Sequence, residues 1–215
     1  MIRLMGWLGF GVAAMLIASL VLGRFVPVPS TLMIGRWLTG LPIAQQWVPL
    51  DEIASTLPAA VVAAEDQRFC AHAGVDFVEL KKVLEDEDGP ARGASTLTMQ
   101  VAKNLYLWPG RSFIRKGLEI PLAILIDVAW GKRRVMEVYL NVAEWGDGIF
   151  GAEAAARHYF NKPASALSAT EAARLASILP NPIVRDASRP SAASRRIADR
   201  LASISPYADC VRQRG

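Results

Sequence analysis

The residues best equipped for chemistry lie between Glu65 and Glu119. The stretch opens with Glu65-Asp66-Gln67-Arg68-Phe69 and passes His72, Gly74 and Asp76. It continues through Gly93-Ala94-Ser95-Thr96-Leu97-Thr98-Met99-Gln100, then Lys103-Asn104 and Arg111, and closes on Arg115-Lys116-Gly117-Leu118-Glu119. Two carboxylates stand at the ends, with hydroxyls, amides and cations between them. A carboxyl at the end of a buried helix is where desolvation raises a pKa toward that of a useful base or acid, and the plainer reading is a solvated helix end with Arg68 pairing the acids. Cations are what a leaving group with growing negative charge requires. Together they suit sugar chemistry on a phosphorylated donor.

Helices are expected to position these groups. Leu50 to Leu57 reads as a short helix, with Pro58 as a break, and the apolar run Ala59 to Ala64 leads directly into Glu65 and Asp66. Ser95 is the expected cap of a helix over Leu97 to Leu105, on which Gln100 shares a face with Lys103 and Asn104. A helix amino terminus with free N–H groups and hydroxyls suits a phosphate or a sugar, and simple capping accounts for it equally well. Ser112 caps a further helix to about Trp130, where Arg115 and Lys116 stand four and three residues before Glu119. Pro121 is expected to kink that helix.

Another helix starts at Lys132, Arg133 and Arg134, and carries Val135, Met136, Val138, Tyr139 and Leu140 as its apolar content. Glu144-Trp145-Gly146-Asp147-Gly148 reads as a turn and Gly151 to Phe160 as an Ala-rich helix. Ser168-Ala169-Thr170-Glu171 has the form of a capping box for a helix ending at Pro180, and a last basic helix follows Pro190. The acidic run Glu85-Asp86-Glu87-Asp88 is read as a solvated loop. No convincing strand alternation occurs, so the globular part is expected to be mainly α.

The 215 residues suggest one domain plus an appendage. Leu4 to Gly23 carries no charged side chain and, at about 20 residues, has the length that crosses an apolar bilayer core as a helix. An uncleaved anchor is favoured over a signal peptide, because Arg24-Phe25-Val26-Pro27-Val28-Pro29 offers no small-residue cleavage site. The expected division is an anchor over 1–26, a membrane-proximal segment over 27–49 and a catalytic domain over 50–215. The amino terminus is expected inside, with the domain on the far side of the inner membrane. The middle segment, with Leu32, Met33, Ile34, Trp37 and Leu38, suits either the membrane surface or packing against the domain.

A net charge of +4 and a pI near 9.3 fit an anionic membrane or substrate. The cations do not form a run with interleaved aromatics, which argues against nucleic acid. Cys70 and Cys210 are the only cysteines; they match no common zinc signature, and both a bridge and free thiols remain open.

On these motifs the chain resembles the monofunctional biosynthetic peptidoglycan glycosyltransferases of glycosyltransferase family 51, the module also found in bifunctional penicillin-binding proteins. The likeness covers about Trp47 to Pro182 and extends to Tyr139-Leu140-Asn141, Gly148-Ile149-Phe150-Gly151, Ala154-Ala155-Ala156 and Tyr159-Phe160. It departs at Met99, where the family often has the first Gln of a pair, and at Asp127, where Glu is common.

The resemblance implies a lysozyme-like helical domain behind a single N-terminal transmembrane helix. It implies transfer of a growing lipid-linked glycan onto lipid-linked disaccharide-pentapeptide, with inversion and release of polyprenyl pyrophosphate. Glu65 would be the base, Glu119 would assist departure of the pyrophosphate, and Lys103, Arg111, Arg115 and Lys116 would hold it. Asp66, Ser95, Thr96, Gln100 and Asn104 complete the implied substrate site. A divalent cation, Mg or Mn, is the implied cofactor, although the sequence shows no closed ligand set. The implied partners are the lipid-linked substrates, the membrane and cell-wall synthesis machinery. No transpeptidase domain fits after Pro182, so glycan cross-linking is not expected. The rivals are a lysozyme-like cleaving enzyme and an inactive membrane-tethered glycan-binding scaffold.

Overall fold

The computed structural model describes residues 2–85, 95–110 and 112–211, without the side chains at 2–6, 8, 9, 12, 13, 84, 202 and 205–207. Among the described residues the chain is mainly helical, as expected. The helices are α1 (Ile2–Gly23), α2 (Thr31–Leu38), α3 (Thr56–Glu65), α4 (Phe77–Glu85), α5 (Leu97–Tyr106), α6 (Phe113–Val142), α7 (Ala152–Phe160), α8 (Ala169–Ile178) and α9 (Ala192–Ile204). Short 3₁₀ turns lie at Leu50–Glu52, Phe69–Ala71, Ala164–Ala166 and Ser205–Val211. The acidic run falls outside the described residues beyond Glu85, as do Gly93, Ala94 and Arg111.

The core forms where α3 packs on α8 and α9, and α5 packs on α6. Leu57, Pro58, Ala60, Val61, Val62 and Ala63 of α3 are all buried, because the helix is apolar on nearly every face and is enclosed by its neighbours. Pro58 does not break a helix there. It lies in the first turn of α3, where its missing N–H would have had no intrahelical partner. The expected helix at Leu50 to Leu57 is reduced to the turn Leu50–Glu52.

Pro121 is also accommodated: the backbone of α6 keeps helical dihedrals through it, and the carbonyl it leaves without an intrahelical donor belongs to exposed Gly117. The break comes at Gly131, with φ 70° and ψ 167°, a conformation that favours glycine. This break separates the two helices expected on either side of it. Here α1 docks by its last turn: Trp130 Nε1 donates to Leu20 O at 2.7 Å, and Arg134 Nε donates to Gly23 O at 2.9 Å. Among the described residues no helix is long and apolar enough to cross a membrane.

The region expected to be a turn at Glu144 to Gly148 belongs instead to a small sheet beside the helices. Strand β1 (Ala44–Gln45) pairs in parallel with β3 (Ile149–Phe150), which pairs antiparallel with β2 (Glu144–Gly146). These strands are too short for alternation to show in the sequence. Pairing through β1 brings part of the 27–49 segment onto the domain. Met33 is buried and Thr31 Oγ1 donates to Leu107 O at 2.8 Å, whereas Ile34, Trp37 and Leu38 are exposed. Cys70 and Cys210 form a disulfide that ties the turn after Glu65 to the C-terminal turn.

Candidate active site

Glu65 is the last residue of α3 and Asp66 caps its C-terminus. They open onto a cleft of about 420 Å³, whose lining also includes Arg68, Ser95, Thr96 and Gln100. Burial raises the Glu65 pKa above the ordinary carboxyl value. The Gln100 hydrogen bond, Lys103 and Arg185 act against that rise, while Asp66 adds to it. The single amide donor is Gln100 Nε2, at 2.9 Å from Glu65 Oε2.

Asp66 is held internally. Its carboxylate lies 3.1 Å and 3.2 Å from His72 Nε2 and accepts from Leu97 N at 2.9 Å. It therefore joins the end of α3 to the start of α5. Arg68 pairs with Asp76 at 2.9 Å rather than with Glu65 or Asp66, and Asp76 also accepts from Val78 N and Glu79 N at the start of α4. Gly74, at φ 83°, lets this loop meet α6: a Cβ there would stand 2.5 Å from Ala123 O.

The cap of α5 is Thr96, not Ser95. Thr96 Oγ1 accepts from Met99 N at 3.1 Å and donates to Gly74 O, so this buried hydroxyl serves the backbone. Ser95, one residue outside, is left for α6, and Lys116 Nζ donates to its Oγ at 2.6 Å. Gln100 points to Glu65 as the helical face requires. Asn104, on the same helix, gives its backbone carbonyl to Thr31 Oγ1 at 3.2 Å.

Glu119 is 3 % exposed on α6. Its Oε1 is paired with Arg115 Nη1, and its Oε2 with Lys116 Nζ at 2.8 Å. Arg115 Nε has no hydrogen-bond partner among the described residues. Lys103 stands electrostatically between the two glutamates. Burial lowers its pKa, Glu119 and Glu65 raise it, and Arg115 and Lys116 lower it. The site thus has a desolvated carboxyl at one end and an excess of cations around a fixed carboxylate at the other. The first can take a proton; the second can hold an anion.

The structure brings Glu65, Ser95, Gln100, Lys103, Arg115, Lys116 and Glu119 into this arrangement, and turns the side chains of Asp66 and Thr96 to internal bonds. Arg111 lies outside the described residues. Two contributors escaped the reading of residue types. Tyr139, taken as apolar helix content, donates its hydroxyl to Gln100 Oε1 at 3.1 Å, and Arg185 faces Glu65 from the segment between α8 and α9. The tyrosine hydroxyl was visible as a polar tip in an apolar run; nothing in the sequence marked Arg185.

No three His, Cys, Asp or Glu side chains converge as a metal site among the described residues, and both oxygens of Glu119 are already ion-paired. Among the described residues the groups around Glu119 therefore form no ligand set for the expected divalent cation.

Comparison with known proteins gives the same direction as the geometry. The transglycosylase family pattern matches residues 35–204. The chain belongs to the transglycosylase family. It is 53 % identical over 191 residues to the biosynthetic peptidoglycan transglycosylase of Rhodopseudomonas palustris (strain HaA2), covering 87 % of this chain and 84 % of the relative. It is 53 % identical over 209 residues to that of Rhodospirillum centenum, covering 95 % and 89 %. To that of Brucella suis it is 50 % identical over 194 residues, covering 87 % of each.

In this member of the transglycosylase family both departures serve the interior packing and bonding of the helices. Met99 is 1 % exposed and packs in the core. Asp127 pairs with Lys132 at 2.6 Å and accepts from Thr98 Oγ1 at 3.3 Å. Asn141 of the Tyr139-Leu140-Asn141 motif clamps the backbone of Val48, accepting from its N–H and donating to its carbonyl, each at 2.9 Å.

Proposed function

We propose that this transglycosylase-family enzyme polymerises peptidoglycan strands. It transfers the growing lipid-linked glycan onto lipid-linked disaccharide-pentapeptide and releases polyprenyl pyrophosphate. The observation that carries this reading is the asymmetry of the two carboxyls that Lys103 feels, a desolvated Glu65 and a Glu119 already neutralised by Arg115 and Lys116.

Glu65 accepts the proton of the acceptor sugar hydroxyl as that oxygen attacks the anomeric carbon of the donor. The bond from the anomeric carbon to the pyrophosphate oxygen breaks, and its electron pair leaves with the pyrophosphate. Lys103, Arg111, Arg115 and Lys116 meet that charge. Glu119 assists by holding Arg115 and Lys116 in place. One displacement inverts the anomeric centre, as in inverting glycosidases, where a nucleophile enters between two separated carboxyls. Ser95, Gln100 and Asn104 contact the sugars, while Asp66 and Thr96 act by fixing the α3–α5 junction.

The same proposal includes a single-pass anchor over 1–26, a connecting segment over 27–49 and a catalytic domain over 50–215 on the periplasmic side of the inner membrane. The uncharged sequence from Leu4 to Gly23, the helix over it and the Cys70–Cys210 bridge support this, since disulfides persist in oxidising compartments. Substrates that stay in the bilayer favour an enzyme tethered to it. Cell-wall synthesis machinery is the class of protein partner this reading brings. A cleaving enzyme has no pyrophosphate to justify the cations around Glu119.

Purified full-length protein given labelled lipid-linked disaccharide-pentapeptide should form lysozyme-sensitive polymer. No polymer, together with cleavage of preformed glycan, would overturn the reading in favour of a hydrolase. Neither activity beside an active control would favour the scaffold.

A further inference from the structure

We propose that Tyr139 is a positioning residue for the base: its buried hydroxyl holds the Gln100 amide in the orientation that turns an N–H toward Glu65. Tyr139 lies in the second half of α6, beyond the Gly131 break, and is 1 % exposed among Val135, Met136, Val138 and Leu140. Phenylalanine would fill the same volume. The hydroxyl adds one thing, a hydrogen bond donated to Gln100 Oε1 at 3.1 Å, and a buried polar group without such a bond is costly.

The other end of that amide is Gln100 Nε2, which donates to Glu65 Oε2 at 2.9 Å. A side-chain amide has a donating end and an accepting end, and a half-turn exchanges them. An ionised Glu65 is served by the donating end; a protonated Glu65 is served equally well by the carbonyl. With Tyr139 as donor, the carbonyl stays on its own side and the N–H stays on Glu65. The relay therefore favours the ionised base against the burial that opposes it. Burial, with the Glu65 charge adding to it, pushes the Tyr139 phenol well up, so its proton remains available for donation.

Glu65 is also faced by Lys103 from α5, Arg185 from the segment between α8 and α9, and Asp66 beside it. Lys103 and Arg185 favour the charged form and Asp66 opposes it, but none of them orients the amide. The inference rests on Glu65 being the base of the proposed reaction.

Activity of a base falls as pH drops through its pKa, so the acid limb of the kcat profile reports Glu65. Tyr139→Phe should move that limb upward by about half a pH unit or more. It should also lower kcat roughly fivefold, on the scale of one lost hydrogen bond, and leave KM for the lipid-linked substrate unchanged. In a Gln100→Met background the same change should move nothing further, since the pair acts as one unit. Fluorotyrosine at position 139, a stronger donor of similar shape, should move the limb downward, and it decides the matter if Tyr139→Phe does not fold. An unmoved limb in a folded Tyr139→Phe or in the fluorotyrosine protein would overturn the proposal, as would a Tyr139→Phe shift that persists with Gln100→Met. An acid limb that survives Glu65→Gln would instead remove the base assignment itself, a result separable from failure of the Tyr139 relay.

Discussion

Glu65 and Glu119 are the same residue in two opposed settings. Glu65 ends a helix whose preceding residues, Ala59 to Ala64, carry no charge, and its nearest donor is the neutral amide of Gln100. Burial outweighs the Gln100 hydrogen bond and the charges of Lys103 and Arg185, and the pKa rises. Glu119 is preceded on its own helix by Arg115 and Lys116, one turn back, and both cations reach its oxygens. The difference teaches that a carboxyl's role here is set by the turn of helix in front of it. An apolar turn leaves a group free to take a proton; a basic turn fixes a charge that organises others.

The comparison breaks most sharply at Glu65. Glu65→Gln keeps the shape but removes the proton acceptor, and polymerisation should fall by roughly a thousandfold, within the range for a lost general base. Binding of lipid-linked substrate should stay measurable; retained turnover would take Glu65 out of the role. Glu119→Gln comes next, at roughly a hundredfold loss of rate, because Arg115 and Lys116 lose the anion that aims them. It should also cost on the order of 3 kcal/mol of stability as the largely enclosed Arg115 loses the charge of buried Glu119, with little from the more exposed Lys116. An unchanged melting temperature would contradict the buried pair.

Lys103, standing between the two, sharpens the contrast. Lys103→Ala should weaken use of the pyrophosphate-bearing donor by about tenfold or more in kcat/KM, and Arg111→Ala should act in the same direction. Equal rates with either change would sink the phosphate assignment. The smallest effect on catalysis is expected at the disulfide. Cys70→Ser should lower stability by about 2–4 kcal/mol in thermal unfolding while leaving the rate at low temperature nearly unchanged.

Much of the site was legible because its geometry is local. Arg115, Lys116 and Glu119 share one helix, and the i+3 and i+4 spacing alone predicts their contact. The end of α3 at Glu65 and the polar face of α5 were legible for the same reason. What the sequence did not disclose depends on contacts across the fold. Thr96 takes the cap from Ser95 because Gly74 and Asp66 meet the chain there and Lys116 draws Ser95 away. Pro121 stays within the helical dihedrals of α6, its orphaned acceptor on exposed Gly117, and the non-helical break comes at Gly131. The two-residue strands at Ala44–Gln45 and Ile149–Phe150 exist only by pairing over a long separation. Cys70 and Cys210 are 140 residues apart, so their pairing is a property of the fold.

The opposed roles of the two glutamates meet their most direct test in the pH dependence of kcat/KM for polymerisation, measured for the wild type, Glu65→Gln and Glu119→Gln. A single acid limb raised from the ordinary carboxyl value by the burial of Glu65 is predicted for the wild type. It should be absent from the residual activity of Glu65→Gln and present in the slower Glu119→Gln. A limb that survives in Glu65→Gln and vanishes in Glu119→Gln would contradict the account.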